Sequence, residues 1–424
     1  MVKLSKYNIA LGNNCFYNSL HDTIIEDAKR TLDSISAGKG EKLDDNVKQV
    51  LFNNGFIVTD EFDELGAVEY IHNKEKFNTN HASLIIYPSL KCNFNCYYCF
   101  EKNKNSVMTT GNAILFSNFL VKFAERSRLS KMSLRWSGGE PLLAWEKIKL
   151  ILDNVKVGIS SDVKILNTIA TNGYLLNKNT IHDMVNYDFQ NVTVTLDGPK
   201  EIHDLSRKTI NGKPTFSRIV SNIEYLCNYL PTTIRINIDI RNKDCFESLL
   251  KQLSKYKIAN REVELFCKPI IPCWDCVKAS SMFDMISFFE IEKEFIKVAK
   301  EFGFKYSFHP NLRAGIRCPF YHINSFMIDA ELYVYKCSLL VGEKDESIGR
   351  VTEDKQITIC EVDKYYKAVN LSPINIVECK ECSILPLCYG KCPILWKNSE
   401  YMDNEGCIPE KGTIIEKIKY LYNV

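Results

Sequence analysis

Ten of the seventeen cysteines in this 424-residue chain fall into two groups whose spacing suits metal chemistry. The first is Cys92-x3-Cys96-x2-Cys99, in the run YPSLKCNFNCYYCFE. Three thiolates on one short loop can hold three irons of a cubane cluster and leave the fourth iron open to a ligand. Zinc wants four ligands, and no histidine lies on this loop. The second group is Cys318-x18-Cys337, then Cys379-x2-Cys382-x5-Cys388-x3-Cys392-x14-Cys407. Cys379-x2-Cys382 taken alone is a zinc-knuckle spacing. Cys273-x2-Cys276 stands apart and, with no second pair nearby, reads as two ordinary thiols, the alternative being that one of them lends a thiolate to the metal of the second group. Cys15, Cys227, Cys245, Cys267 and Cys360 sit in apolar patterns and read as small buried hydrophobes.

Such loops need a scaffold. Short runs rich in Val, Ile, Leu, Thr or Tyr predict strands at 84–88, 131–136, 163–170, 191–196, 233–240 and 262–269. Helix-period segments at 111–126, 145–154, 178–186, 216–228 and 244–256 separate them. This alternation implies a parallel sheet, because each crossover helix returns the next strand in the same direction. Curled, the six units make an α/β fold, a partial (β/α)6 TIM-like barrel with its functional loops at the C-terminal strand ends. The first cysteine group follows directly on the first strand. The second strand leads into Trp136-Ser137-Gly138-Gly139-Glu140-Pro141, where two glycines let backbone approach a ligand closely. The third ends in Thr171-Asn172-Gly173, which either faces a ligand or is a plain turn. The fourth leads into Thr195-Leu196-Asp197-Gly198-Pro199, then His203, Asp204 and Arg207. Ahead of the barrel, short strands at 7–10, 15–19, 23–26 and 56–59 with helices at 28–35 and 45–53 make a winged-helix-like module, and Gly55 is a C′ glycine. The expected domains are 1–79, 80–300 and 301–424.

Cys-x3-Cys-x2-Cys with an aromatic before the third cysteine resembles the radical S-adenosylmethionine superfamily, and the further motifs recur in the family's order. The resemblance implies that Cys92, Cys96 and Cys99 hold a 4Fe–4S cluster whose open iron chelates S-adenosylmethionine, which is cleaved to methionine and a 5′-deoxyadenosyl radical. It implies cofactor contacts from Tyr98 (through its backbone), Gly138, Gly139, Glu140, Thr195 and Arg207. Glu140 would take the methionine ammonium and Arg207 the carboxylate. Thr195 stands where the family has Ser and keeps the hydroxyl. The second cysteine group resembles the SPASM extension of radical enzymes that modify peptides and proteins. Carried over, Cys318, Cys337 and Cys392 hold one auxiliary 4Fe–4S cluster, and Cys379, Cys382, Cys388 and Cys407 hold another, three clusters in all. No catalytic side chain is assigned. The family's glycine five positions before the second extension cysteine is replaced by Leu332, so the hairpin there is expected to turn through Asp329-Ala330.

Members with this layout act on ribosomally made peptides or on proteins. The resemblance therefore implies a maturase that closes a thioether, carbon–carbon or carbon–oxygen crosslink in a precursor peptide. The leader would dock as an added strand on the N-terminal module, the alternative being that this module is a structural cap on the barrel, and electrons would come from a donor such as flavodoxin or ferredoxin. The alternative is anaerobic sulfatase maturation, whose enzymes carry Asp directly after the second extension cysteine; this chain has Ser338. Composition fits either reading. Fifty-four Lys plus Arg against 52 Asp plus Glu give +2, so no bulk field points to nucleic acid or to an anionic membrane. No apolar run approaches the ~20 residues of a membrane span, and MVKLSKYNIALG has no signal-peptide core. Oxygen-labile clusters imply a cytoplasmic setting.

Overall fold

The computed structural model describes residues 2–39, 43–101, 105–259, 261–270, 285–306, 318–388, 390, 392, 394 and 411–424. Cys273, Cys276 and Cys407 lie outside them. The chain forms two compact units, one of Thr79–His309 with Asn324–Lys367, the other of Met1–Asn78, Pro310–Ile323 and Ala368–Val424. Among the described residues no helix is long and apolar enough to cross a membrane.

The first unit is built on one large, mostly parallel sheet, the partial barrel expected from the alternation. Strands β6 (His81–Ser89), β7 (Lys131–Gly138), β8 (Lys164–Thr171), β9 (Phe189–Thr195), β10 (Thr232–Ile238), β11 (Val263–Pro269) and β12 (Lys305–Tyr306) lie side by side in chain order, every neighbour parallel. Along each strand alternate residues are buried: Leu84 and Ile86, Leu134 and Trp136, Val192 and Val194, Ile234 and Ile236. They share a core with inward residues of the crossover helices, such as Phe116 and Leu120 of Thr110–Arg126 and Ile148 and Ile151 of Trp145–Gly158. Thr109 and Asn177 start two of these helices by accepting orphan N–H groups from Asn112 (3.1 Å) and Thr180 (3.1 Å).

The sheet continues past β6 instead of stopping there. Strand β13 (Ser325–Ile328) pairs in parallel with β6, and β14 (Tyr333–Tyr335), β15 (Gly349–Val351) and β16 (Ile357–Ile359) follow as an antiparallel meander. Leu332 itself adopts the left-handed conformation at φ 70°, in the place where the family has glycine. Expecting Asp329-Ala330 to carry the turn was half right. Asp329 organises it, accepting from the N–H groups of Glu331 (2.9 Å) and Tyr333 (3.0 Å) and from the Tyr335 hydroxyl (3.0 Å), while the strain falls on Leu332. Asn112 adds a hydrogen bond from its side chain to the Ala330 carbonyl at 2.9 Å. Cys360, expected to be buried, is exposed, because it follows β16 at the sheet's last edge.

In the second unit β1 (Val2–Leu4) pairs with β5 (Ile57–Thr59), and β2 (Asn8–Gly12), β3 (Cys15–Asn18) and β4 (Thr23–Ile25) form a sheet with β3 central. Asn18 is fully buried and donates to the Gly55 carbonyl (2.8 Å) and Asn8 Oδ1 (2.9 Å), while accepting from Leu20 and His21 N–H. Ile9, Leu11, Cys15 and Tyr17 share a core with Ile384, Leu387, Ile414 and Ile418, so the two ends of the chain build one hydrophobic cluster. Helix Glu64–Lys76 has no counterpart in the sequence-based reading. Its inward positions, Glu64, Val68, His72 and Lys76, keep helical spacing, but three of the four are polar. Each is accommodated: Glu64 accepts from Ser5 Oγ (2.5 Å) and Lys6 N–H (3.2 Å), Lys76 donates to the Leu371 carbonyl (3.1 Å), and His72 lies edge-on to Tyr321.

Leu332 is 1% exposed and packs in the barrel-unit core. Leu332→Gly relieves about 1 kcal/mol of left-handed strain but forfeits a buried side chain, for which truncation costs roughly 2–5 kcal/mol. The net outcome is a destabilisation of about 1–4 kcal/mol, read from thermal or denaturant unfolding; a stabilised variant would mean that the strain dominates.

Candidate functional site

The loop carrying Cys92, Cys96 and Cys99 leaves the C-terminal end of β6 and is pinned on both flanks. On one side Gly139 and Glu140 N–H donate to the carbonyls of Ser89 and Lys91, both at 3.0 Å. A Cβ on Gly138 would meet the Ser89 carbonyl oxygen at 2.3 Å, and one on Gly139 the Lys91 oxygen at 2.6 Å. The close approach that demands these glycines is therefore made by the cysteine loop's own backbone. On the other side Asn95 N–H donates to the Lys208 carbonyl and Ile210 N–H to the Asn93 carbonyl, both at 3.0 Å.

Glu140 is fully buried, and three donors hold its carboxylate: Leu142 N–H (3.0 Å) and Thr171 hydroxyl (2.7 Å) on Oε1, and Asn172 N–H (2.8 Å) on Oε2. Burial raises its pKa against these hydrogen bonds, which favour the charged form. Asn172, left open between ligand-facing and plain turn, reaches the cysteine loop. Its amide donates to Asn93 Oδ1 at 2.8 Å and lies 3.9 Å from Cys92 Sγ, which Phe94 N–H also approaches at 3.4 Å.

Arg207 is 7% exposed, and its guanidinium lies 3.6 Å from Asp197 and donates to the Tyr98 hydroxyl. Burial works against its charge, but Cys96, Tyr98 and Asp197 outweigh it and push the pKa up. Tyr98 in turn donates to Asp197 and accepts from Asn237 Nδ2 at 3.0 Å, so its side chain, not only its backbone, belongs to the site. The backbone of Arg207 is held by a relay. Asp197 N–H donates to His203 Nδ1 (3.3 Å), which places the proton on Nε2. Nε2 faces the Thr215 hydroxyl (3.1 Å), and that hydroxyl donates to the Arg207 carbonyl (2.6 Å). Burial and the Arg207 charge keep His203 neutral, as this relay requires. Asp204 caps the following helix through Thr215 and Phe216 N–H (2.7 and 2.8 Å). Thr195 ends β9 half-buried, in register with Arg235.

Burial raises the Cys92 and Cys96 thiols, Cys92 to about 12, with Arg207 opposing the rise at both, while Cys99 stands exposed at the end of the loop. Among the described residues no three His, Cys, Asp or Glu side chains close around a single ion, whereas a cubane holds each thiolate on a separate iron. The donor set fits a cluster. The loop is sulfur-rich, and two polar atoms near it, Arg207 Nε and Glu101 Oε2, are buried without a partner. In the other unit Cys318, Cys379, Cys388 and Cys392 all bear on Tyr321, whose hydroxyl is raised by burial and then by those thiols. Cys382 N–H donates to the Cys379 carbonyl at 3.1 Å, and Cys388 Sγ approaches the Gly390 carbonyl at 3.5 Å. Cys337 belongs to the barrel unit, where its charge bears on Tyr87.

Residues 86–253 match the model of the Radical SAM superfamily. The cysteine-type anaerobic sulfatase-maturating enzyme of Clostridium perfringens is 26% identical over 344 residues, covering 73% of this chain and 88% of that protein. The solved structure of native anSMEcpe with bound AdoMet superposes with TM-score 0.62 at 20% identity, covering 80% of this chain and 97% of that one. Streptococcus suis SuiB bound to precursor peptide SuiA superposes with TM-score 0.57 at 14% identity, covering 96% of this chain and 99% of that one.

Glu101 gives the site a measurable pH signature. Burial first, and the charge of Glu140 second, raise its pKa from 4.5 to about 7. The folded state then holds a proton that the unfolded state releases, so this contribution is present below pH 4.5 and is lost as pH rises to about 7. In cluster-free protein Glu101→Gln is expected to match wild type at pH 5 and to exceed it by on the order of 2–3 kcal/mol at pH 8. Denaturant midpoints at the two pH values check this; equal differences at both would remove the carboxyl from the titration.

Proposed function

Because the chain carries a radical S-adenosylmethionine domain over residues 86–253, we propose that this radical enzyme is a peptide maturase that closes a crosslink in a ribosomally made precursor. When bound, a 4Fe–4S cluster and S-adenosylmethionine supply a 5′-deoxyadenosyl radical that abstracts a hydrogen atom. Cys92, Cys96 and Cys99 would hold that cluster. Arg207, oriented by His203 and Thr215, offers a fork to the cofactor carboxylate. Gly138, Gly139, Glu140, Tyr98 and Thr195 complete the proposed cradle. In this reading the cysteines of the C-terminal group hold two auxiliary clusters, a flavodoxin- or ferredoxin-like donor supplies electrons, and the protein works in the cytoplasm.

The observation that carries the choice of a peptide crosslink is at Ser338. Sulfatase maturases resembling this chain place an aspartate there as base, whereas here the position is Ser338, near Tyr87, a buried phenol that desolvation keeps protonated. Neither group is a carboxylate that could accept a proton at neutral pH. Identity to the Clostridium perfringens enzyme keeps sulfatase maturation as the second reading. Mass spectrometry with aldehyde labelling separates them: a crosslink removes two hydrogens from the peptide and leaves no aldehyde, whereas formylglycine formation leaves an aldehyde and, from cysteine, also exchanges the sulfur for a water-derived oxygen. Formylglycine on a sulfatase peptide would overturn the proposal.

Three clusters predict about twelve irons per chain after anaerobic reconstitution. Replacing Cys92, Cys96 and Cys99 by Ala should remove about four and abolish cofactor cleavage. Zinc in place of iron would end this reading.

The leader is proposed to add to β4, an edge of its sheet. Successive N–H groups of a strand point to opposite sides, so of Ile24 and Ile25 one donates away from β3 and the other towards it. Proline at the outward position should weaken precursor binding roughly tenfold with little change in melting. Proline at the inward position should lower the melting temperature. Unchanged peptide affinity in both variants would place the leader elsewhere.

A further inference from the structure

Two arginines stand on the inner face of the barrel strands without an anion. Arg135 lies between Leu134 and Trp136 on β7, and Arg235 between Ile234 and Ile236 on β10. The four flanking residues are buried in the core shared with the crossover helices. The period-2 alternation of a strand therefore turns both arginines to the other face, towards the barrel interior. Arg235 donates Nε–H to Asn237 Oδ1 at 2.8 Å and makes no ion pair among the described residues. Arg135 makes neither a hydrogen bond nor an ion pair among them.

The two charges sense each other across the strands. Burial lowers the pKa of Arg235, Arg135 and Arg207 lower it further, and Tyr98 and Asp197 oppose them. The neighbouring carboxylates are mostly engaged. Asp197 serves Tyr98, Asn237 and Arg207, and Glu140 serves three donors. Glu101 faces Arg235 without pairing with it. A cubane on three thiolates is net negative and S-adenosylmethionine net positive, so together they roughly cancel and leave the arginines unanswered.

We infer that Arg135 and Arg235 form a carboxylate-binding subsite in the barrel interior, and that it takes an acidic side chain of the peptide substrate. The inference rests on the reading of this interior as the place where a peptide is modified. Planar guanidinium forks match a carboxylate in two parallel hydrogen bonds, and partial burial at Arg235 strengthens its share while Arg135 stands at the exposed rim. Arg235 is also the register partner of Thr195, a proposed cofactor contact. The cofactor's own carboxylate is therefore the rival occupant.

The test uses reconstituted full-length protein loaded with S-adenosylmethionine and two blocked peptides, acetyl-Gly-Glu-Gly-amide and acetyl-Gly-Gln-Gly-amide, followed by ligand-observed NMR. The Glu peptide is expected to bind at least tenfold more tightly than the Gln peptide. Arg135→Gln with Arg235→Gln should reduce that preference below twofold, and the double Lys variant should restore part of it. If the double Gln variant loses cooperative unfolding, Arg135→Gln alone, at an exposed position, should still cost at least threefold in preference. Equal binding of the two peptides by wild type overturns the inference and leaves the maturase reading standing. Binding of neither peptide overturns the subsite and leaves the maturase reading to the mass-spectrometric test on a precursor. A tenfold loss of cofactor affinity in Arg235→Gln, measured by calorimetry, assigns that guanidinium to the cofactor and overturns the substrate subsite.

Discussion

The buried carboxylate of Glu140 is the constraint around which the site is organised. A desolvated charge is tolerated only when donors surround it, and here the donors come from the loop after β7 and the end of β8. The same residue's backbone N–H is bonded to the Lys91 carbonyl. One residue thus ties three strand ends together, two through its side chain and the cysteine loop through its backbone N–H. The adjacent glycines follow from this, because a side chain at either would collide with the carbonyls that the loop presents.

On the far side of the loop the anchoring group is a cation. Arg207 meets Tyr98 and Asp197 through its guanidinium and is fixed through its carbonyl by Thr215 and His203. A long flexible side chain is thereby ordered before any ligand arrives, which lowers the entropy lost on binding. The histidine and aspartate of the HD segment act on Arg207 and on the next helix; neither needs to touch a reacting atom.

The barrel strands were legible because each alternates apolar residues over a helix-covered face and is bounded by turn residues. The crossover helices were legible because their apolar stripes repeat at helical spacing. What stayed hidden breaks those patterns. Helix Glu64–Lys76 turns Glu64, His72 and Lys76 inward, so its buried face looks like a solvated one. Asn172 could not be told from a turn residue, since its reach to Asn93 and Cys92 exists only after β8 is placed beside β7. Leu332 was recognised as a missing glycine, but only the structure shows that leucine takes the left-handed conformation and is compensated by burial.

The pairing of β13 with β6 joins Ser325 to Ser83, 242 positions apart. During synthesis at roughly 5–20 residues per second, β6 leaves the ribosome on the order of tens of seconds before its outer neighbour exists. An uncovered parallel edge is a template for the wrong strand, so the nascent barrel passes through a sticky adolescence that ends only when the C-terminal hairpin arrives. Chaperone dependence and losses to aggregation should therefore concentrate in that interval, and chains cut short before residue 325 should be its chief casualties.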